Sequence, residues 1–220
     1  MRGVMGKYLV SLLFTVTVVT GSTALGQSAD VALVNMISGN ATYIPQGDAS
    51  GKVRPFMKVR NGDRINVTAE SQVRIVFFDG GRQELWVGPA SFRAGKTAAE
   101  PISGKVAAVV NLPADVPQRM ARIPALIQLS KLGGTQVRGL NRQQNAGAEP
   151  PTTLAQARAT YEKLRTEMPA DDIAPELYLY AALDEVLAYD EMKVVVAEMR
   201  RKQPDNPDLK SMDAWLASRK

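Results

Sequence analysis

Apolar and polar residues alternate over short stretches between residues 30 and 100, and turn-forming residues separate these stretches. The clearest case is a hairpin with strands over 72–78 and 83–87. Further strands are predicted over 41–44 and 64–68. Because alternation is the period of a half-buried strand, this part of the chain predicts a small all-β unit.

The two strands of the hairpin are expected to pair across a turn at residues 79–82. Val73, Ile75 and Phe77 share one face of the first strand. We expect Leu85 and Val87 on the second strand to be their cross-strand partners.

The turns are rich in residues suited to positive φ or unable to donate a backbone hydrogen bond. We interpret six of these residues as structural rather than as ligand contacts. They are Gly62, Asp63, Asp79, Gly80, Gly88 and Pro89.

Residues 103–111 predict a last strand, after which prolines break the chain. A short helix is predicted over 119–132, restarted at Pro124 and stopped by Gly133 and Gly134. The polar, proline-rich residues that follow predict a linker.

Beyond residue 152 the apolar residues recur every three or four positions, which predicts helices. Thr153 and Gln156 form a capping box, and Asp190 is expected to cap the third helix. The predicted helices cover residues 154–168, 175–189, 191–202 and 207–216.

These patterns predict an α+β protein with segregated parts. A small all-β unit, either a β-solenoid or sandwich-like, precedes a helical hairpin or repeat bundle. The predicted divisions are a signal peptide at 1–26, an all-β domain at 27–112, a helical connector at 113–139, a linker at 140–151 and a helical region at 152–220.

The first 26 residues have the pattern of a secretory signal peptide. Arg2 and Lys7 precede an uncharged run over 8–19, and cleavage is expected between Gly26 and Gln27. The alternative is an uncleaved anchor, but a membrane span needs ~20 apolar residues. We therefore expect an exported protein of a Gram-negative periplasm, with no stable membrane anchor after cleavage.

The composition limits the catalytic chemistry open to this chain, because the chain contains no His and no Cys. It therefore lacks the usual general base and the thiolate nucleophile. The adjacent acids Asp171-Asp172 and Asp184-Glu185 are interpreted as solvated residues of helix caps and faces. We expect no catalytic residue, no cofactor and no metal.

The formal net charge is +5, and the basic residues of the middle segment are dispersed. We interpret them as solvated surface and expect no nucleic-acid partner. They are Lys105, Arg119, Arg122, Lys131, Arg138 and Arg142.

The ordered turns of residues 30–100 resemble the FecR-type periplasmic domain. The resemblance rests on Gly39 and on the segments 59–65, 71–80 and 85–91. It implies a periplasmic all-β fold of stacked short strands. The family is named for a regulator whose cytoplasmic N-terminal helical domain controls a sigma factor. Only seven residues precede the apolar run here, so we expect no such domain.

The helical region contains a short internal sequence repeat. Leu164-Arg165 and then Pro169 recur as Met199-Arg200 and then Pro204, an offset of 35 residues. Helix pairs with this period resemble tetratricopeptide repeats. A plain helical hairpin bundle is the alternative, and both commonly present docking surfaces for proteins.

We therefore expect a non-catalytic exported protein that acts as a protein–protein or envelope interaction module, of a scaffold or signal-receiving type. The partner is expected to dock in a groove between the C-terminal helices. The alternatives are a glycan- or peptidoglycan-binding envelope protein and a carboxylate-based glycan hydrolase.

The exported protein is predicted to begin at Gln27, because small residues precede that position. Intact-mass measurement of the protein recovered from the periplasm tests this. A mass that still includes residues 1–26 would contradict both the cleavage site and the expected compartment.

Overall fold

The computed structural model describes residues 29–132 and 153–219, and it confirms the segregated α+β fold. In these residues the strands are β1 (Asp30–Ser38), β2 (Ala41–Ile44), β3 (Gly51–Lys52), β4 (Lys58–Arg60), β5 (Arg64–Val67), β6 (Gln72–Phe77), β7 (Arg82–Val87), β8 (Ala90–Ala94), β9 (Ala99–Ser103) and β10 (Val106–Asn111). The helices are α1 (Asp115–Met120), α2 (Ile123–Lys131), α3 (Leu154–Glu167), α4 (Ala174–Glu185), α5 (Tyr189–Lys202) and α6 (Pro207–Ala217).

The strands form two five-stranded sheets. The central sheet has the order β10-β7-β6-β1-β4, and the outer sheet has the order β3-β2-β5-β8-β9. One apolar core lies between them, in which Val34 and Ile75 of the central sheet meet Ile65 of the outer sheet. Trp86 stacks on Phe92 with ring centroids 4.5 Å apart. Because neighbouring strands pair antiparallel, the β-unit is a sandwich, one of the two predicted forms.

The predicted hairpin is present as β6 and β7, but the expected cross-strand partners were wrong. Trp86 lies opposite Val73, and Leu85 and Val87 lie on the opposite face of the strand. Residues 78–81 separate the two strands, so the turn begins one residue earlier than the predicted 79–82. This register puts Trp86 into the core.

The helices cover the second face of the central sheet. Leu33 and Val76 of that sheet share an apolar core with Leu177 of α4, Val196 of α5 and Met212 of α6. The molecule therefore has three layers: the outer sheet, the central sheet and the helices. The interior strands β1 and β6 of the central sheet are buried on both faces.

The connector helix predicted over 119–132 is two helices, which confirms the predicted restart at Pro124, but the first of them begins four residues earlier than predicted. α1 begins at Asp115, and the chain breaks before Pro124, which lies in the first turn of α2. α1 packs on α4 and α2 packs on α6, so both belong to the helical layer. The predicted stop at Gly133-Gly134 and the linker at 140–151 lie outside the described residues, as does the segment 1–26.

The capping box of α3 is confirmed: Thr153 Oγ1 accepts a hydrogen bond from the Gln156 backbone N–H at 3.2 Å. The predicted cap of α5 was wrong, because that helix begins at Tyr189 and Asp190 lies within its first turn. α4 also ends earlier than predicted, since Leu187 takes a φ of +58° and reverses the chain.

A polar cluster centred on buried Arg74, Gln83 and Asp172 joins the central sheet to the helices. Its members are Asn35, Arg74, Gln83, Asp171, Asp172 and Gln203. Arg74 donates to Asp171 at 3.0 Å, and its Nε lies 3.6 Å from Asp172. Gln83 donates to Asp172 at 2.5 Å. The contacts with Asp171 and Asp172 join strand residues to the loop before α4, so the polar cluster sets how the helices sit on the sheet.

Asp172 is fully buried, so its interpretation as a solvated acid was wrong. Its Oδ1 accepts a hydrogen bond from the Ala174 backbone N–H at 2.9 Å, which places it at the start of α4. Burial raises the pKa of Asp172, while Arg74 acts in the opposite direction. Asp171 is more exposed; desolvation acts to raise its pKa, but the hydrogen bond and charge of Arg74, together with a backbone hydrogen bond and the charge of Lys202, lower it overall.

Replacing Arg74 by Met is predicted to cost about 3–5 kcal/mol of unfolding free energy at pH 7, because it leaves Asp172 as an uncompensated buried charge. The substitution also raises the pKa of Asp172 further. A carboxyl with a raised folded pKa favours folding below its unfolded value of 3.8, and this contribution is lost as the pH rises through the folded value. The deficit relative to wild type should therefore be smaller at pH 4.5 than at pH 7.

Urea unfolding at both pH values measures these differences. Arg93→Met, at an exposed arginine, is the matched control and should change stability by no more than about 0.5 kcal/mol. An Arg74→Met variant as stable as this control would contradict the role given to the polar cluster.

Candidate functional site: the open edge of the central sheet

The six turn residues singled out in the sequence do not form one site. They lie in three turns: Gly62-Asp63 between β4 and β5, Asp79-Gly80 between β6 and β7, and Gly88-Pro89 between β7 and β8. Gly80 has a φ of +87°, and open space surrounds the position of a Cβ there. A Cβ on Gly88 would lie 1.7 Å from the Thr68 carbonyl oxygen.

Asp63 is the one buried residue of these six. Its carboxylate accepts hydrogen bonds from the backbone N–H groups of Gln46 at 3.1 Å and Arg60 at 2.9 Å, and from the Tyr43 hydroxyl. Burial and the bond to Asp63 raise the pKa of Tyr43. Asp63 therefore uses its oxygens to hold two loops together, whereas Asp79 is exposed and lies 3.3 Å from Lys96.

Two acids of the helical layer, Glu176 and Glu185, are paired with basic side chains. Glu176 is fully buried and accepts hydrogen bonds from Arg165 at 3.0 Å and Lys202 at 2.8 Å. Glu185 pairs with Arg119 at 2.8 Å. Arg119 is buried, with its guanidinium 5.6 Å from the centre of the Tyr178 ring, so its interpretation as a solvated residue was wrong.

Asp184 is the other half of the Asp184-Glu185 pair. Burial raises its pKa, partly offset by Arg122, whose Nη2 lies 3.7 Å from its carboxylate. Across residues 29–132 and 153–219, no group of three or more His, Cys, Asp or Glu side chains is placed to hold a metal ion.

The exposed edges of the two sheets are a different kind of feature, because edge strands carry unpaired backbone groups. Three of the four edges are blunted. β3 has two residues, and β9 contains Pro101. β4 has three residues, of which Lys58 and Arg60 are charged and lie 3.0 and 3.9 Å from Asp30.

The fourth edge, β10, is neither short nor charged and contains no proline. Its one irregularity is a bulge at its start. It has six residues with the sequence VAAVVN, without charge or proline. Val106 and Val110 pack partly against the cores, whereas Ala107, Ala108 and Val109 are exposed. The exposed fraction of Val109 is 39%. A register shift between Val106 and Ala108 leaves the rest of the strand regular.

The direction of the backbone groups follows from one hydrogen bond at the end of β10. The Leu112 backbone N–H donates to the Gly81 carbonyl at 2.8 Å, toward the β7 side. Because the direction alternates along an antiparallel strand, Val110 also faces β7, and Val109 and Asn111 direct their N–H and C=O groups outward. We call these outward groups, with the exposed side chains of Val106–Asn111, the β10 edge.

The sequence predicts the last strand but not its exposure. An uncharged run of Val and Ala is equally compatible with a buried strand. β10 is distinguished only by comparison of the edge strands: it lacks the charged residues or proline that β3, β4 and β9 contain.

The helical layer offers a second surface, a groove of about 410 Å³ between α2 and α6. The side chains that line it are Ser130, Lys131, Ser211, Ala214, Trp215 and Ser218. Arg219 lies over the Trp215 ring at 4.8 Å from its centre, so part of that indole is already covered.

Comparison with known proteins gives no relative: no family model, curated protein or solved structure matches this chain. Within the described ranges, the helices are too short or too polar to cross a membrane.

The turn glycines are predicted to differ in what they tolerate. Gly80→Ala should cost about 1 kcal/mol, because the strain of a positive φ is the sole penalty in open space. Gly88→Ala should cost more than about 3 kcal/mol, because a backbone oxygen occupies the position of the new methyl group.

Thermal and urea unfolding measure both variants. Gly51→Ala is the control, since its Cβ would enter open space without a positive φ, and it should change stability by less than about 0.5 kcal/mol. A Gly88→Ala variant that unfolds like Gly51→Ala would contradict the close approach of β7 to the loop after β5.

Proposed function

We propose that this chain is a non-catalytic protein-binding module that takes up an extended strand of a partner protein on the β10 edge. The observation that carries this proposal is that β10 alone among the edges of the described sheets is long, uncharged and free of proline. Addition of a strand to such an edge is a recurring mode of peptide recognition.

The energetic basis is the set of outward groups at Val109 and Asn111. A partner strand would pair with these N–H and C=O groups, and each hydrogen bond contributes a net ~0.5–1.5 kcal/mol. The exposed side chains of Ala108 and Val109 add apolar area beside the new strand. The interior strands of the central sheet are packed on both faces and β10 is paired to β7, so the partner meets an edge whose geometry is set in advance.

The distribution of acids favours binding over hydrolysis. A glycan hydrolase of this composition would need two free carboxylates facing a cleft. Asp172 and Glu176 are instead buried and engaged by Arg74, Arg165 and Lys202. This arrangement supports a structural role for the acids.

The proposal places the module in the periplasm and relates its β-unit to the FecR-type domain. Support comes from the signal-like pattern of residues 1–26 and from the ordered turns of residues 30–100. A tetratricopeptide-like arrangement of the helices is part of the same proposal. It is supported by the start of α5 at Tyr189, 35 residues after α3 starts at Leu154.

A second candidate function, glycan binding, is favoured by the groove between α2 and α6. Serine hydroxyls and the indole of Trp215 are groups that can hydrogen-bond and stack on a sugar. We rank it second, because Arg219 covers part of that ring.

The proposed function is tested with Val109→Pro. Proline removes the outward N–H of residue 109 and leaves the hydrogen bonds of β10 with β7 in place. The control, Val109→Thr, keeps a β-branched side chain and the N–H. Wild type and Val109→Thr should retain the same proteins from a periplasmic extract, and Val109→Pro should lose them.

Equal retention by all three proteins would contradict docking at the β10 edge. A parallel assay with peptidoglycan separates the second candidate: glycan binding that Trp215→Ala abolishes and Val109→Pro leaves intact would favour the groove. Release of soluble sugars from peptidoglycan by the wild type would contradict the non-catalytic assignment.

A further inference from the structure

We propose that the strand bound at the β10 edge runs antiparallel to β10, has an uncharged centre and carries a carboxylate at its C-terminal end, beside Lys105. This inference rests on the proposed function and specifies the chemistry of the partner. Four observations on the β10 edge lead to it.

The first observation concerns the position of Lys105, its exposure and its ion pairing. It directly precedes β10 and is exposed, and its ammonium group has no ion-pair partner among residues 29–132 and 153–219. Neighbouring cations differ: Arg82 lies 2.5 Å from Glu84, and Lys96 lies 3.3 Å from Asp79. Lys105 is therefore a cation at one end of the β10 edge whose charge is available to a partner.

The second is the direction of pairing. The strand pairs of the central sheet are antiparallel, and antiparallel ladders are slightly more stable per residue than parallel ones. A strand added antiparallel to β10 ends where β10 begins. Its C-terminal end therefore lies beside Lys105, where a carboxylate gains a favourable charge interaction.

The third is the absence of charge along the strand itself. From Val106 to Asn111 no side chain of β10 offers a counter-ion to a charged residue placed opposite. A charge at the centre of the bound strand would lie beside the apolar side chains of Ala108 and Val109. Small and β-branched uncharged residues are therefore preferred at the centre.

The fourth argues against a second copy of this chain. Six residues of strand extend about 20 Å, and one such pairing falls short of the ~1,200–2,000 Å² that stable interfaces bury. An antiparallel self-pair would also place Lys105 of each copy at the Asn111 end of the other, near Arg82. The carboxylate nearest to Arg82 is Glu84, which is buried and already paired.

The test uses the full chain and three fluorescein-labelled peptides with an alternating Thr-Val core and amidated C-termini. One peptide ends in Asp at its C-terminus, one ends in Lys there, and one carries Asp at its N-terminus. Fluorescence anisotropy at low salt should show the C-terminal Asp peptide binding about threefold or more tightly than either of the others.

The matched variants separate this inference from the proposed function. Lys105→Glu should reverse the preference between the C-terminal Asp and Lys peptides, and Lys96→Glu should leave it unchanged. Loss of all binding in Val109→Pro supports docking at the edge whatever the charge preference.

Equal affinity for the three peptides in wild type and Lys105→Glu would overturn the inference, while the proposed function would stand if Val109→Pro still abolished binding. Peptide binding that survives Val109→Pro would overturn both. A dimer in sedimentation velocity that Val109→Pro dissociates would place a second copy on the β10 edge and overturn the inference.

Discussion

The contact of Arg74 with Asp172 is the interaction on which the arrangement of the three layers depends. It joins the central strand β6 to the loop immediately before α4, which lies about 100 residues further along the chain. A buried ion pair adds little net stability, but one that has lost a partner is costly. The Arg74 Nη1 atom and the Asn35 Oδ1 atom have no hydrogen-bond partner within the described residues. We therefore assign the polar cluster the role of selecting one placement of the helices, with the apolar core supplying most of the stability.

That placement determines which surfaces remain for a partner. Because the outer sheet and the helices bury both faces of the central sheet, its unpaired backbone groups are confined to the two edge strands. The β4 edge is short and charged, which leaves the β10 edge. The connection from β10 runs directly into α1 through Leu112, which is part of the helical core. The partner strand that we propose to bind at the β10 edge would therefore lie beside the strand that leads into the helical layer.

Local signals in the sequence predicted local structure well. Alternation predicted β2, β5 and the β6–β7 hairpin, and the Thr153–Gln156 spacing predicted the start of α3, because each depends on neighbouring residues alone. The errors concern contacts between distant parts of the chain. Asp172 and Arg119 look solvated in sequence, and their partners lie elsewhere in the fold. The exposure of β10 likewise depends on which strand ends the sheet, which a pattern of Val and Ala does not specify.

The central claim, that β10 is an open edge of a sheet whose interior strands are protected, is tested most directly by residue-resolved hydrogen exchange on the free full chain. The outward amides of Val109 and Asn111 should exchange rapidly, whereas the amides of β6 should exchange only through large-scale unfolding. Addition of the C-terminal Asp peptide should slow exchange at Val109 and Asn111, and it should slow exchange in β6 only as far as binding stabilises the folded state against unfolding. Protection of Val109 and Asn111 in the free protein equal to that of β6 would contradict the account, because it would mean that the edge is already occupied.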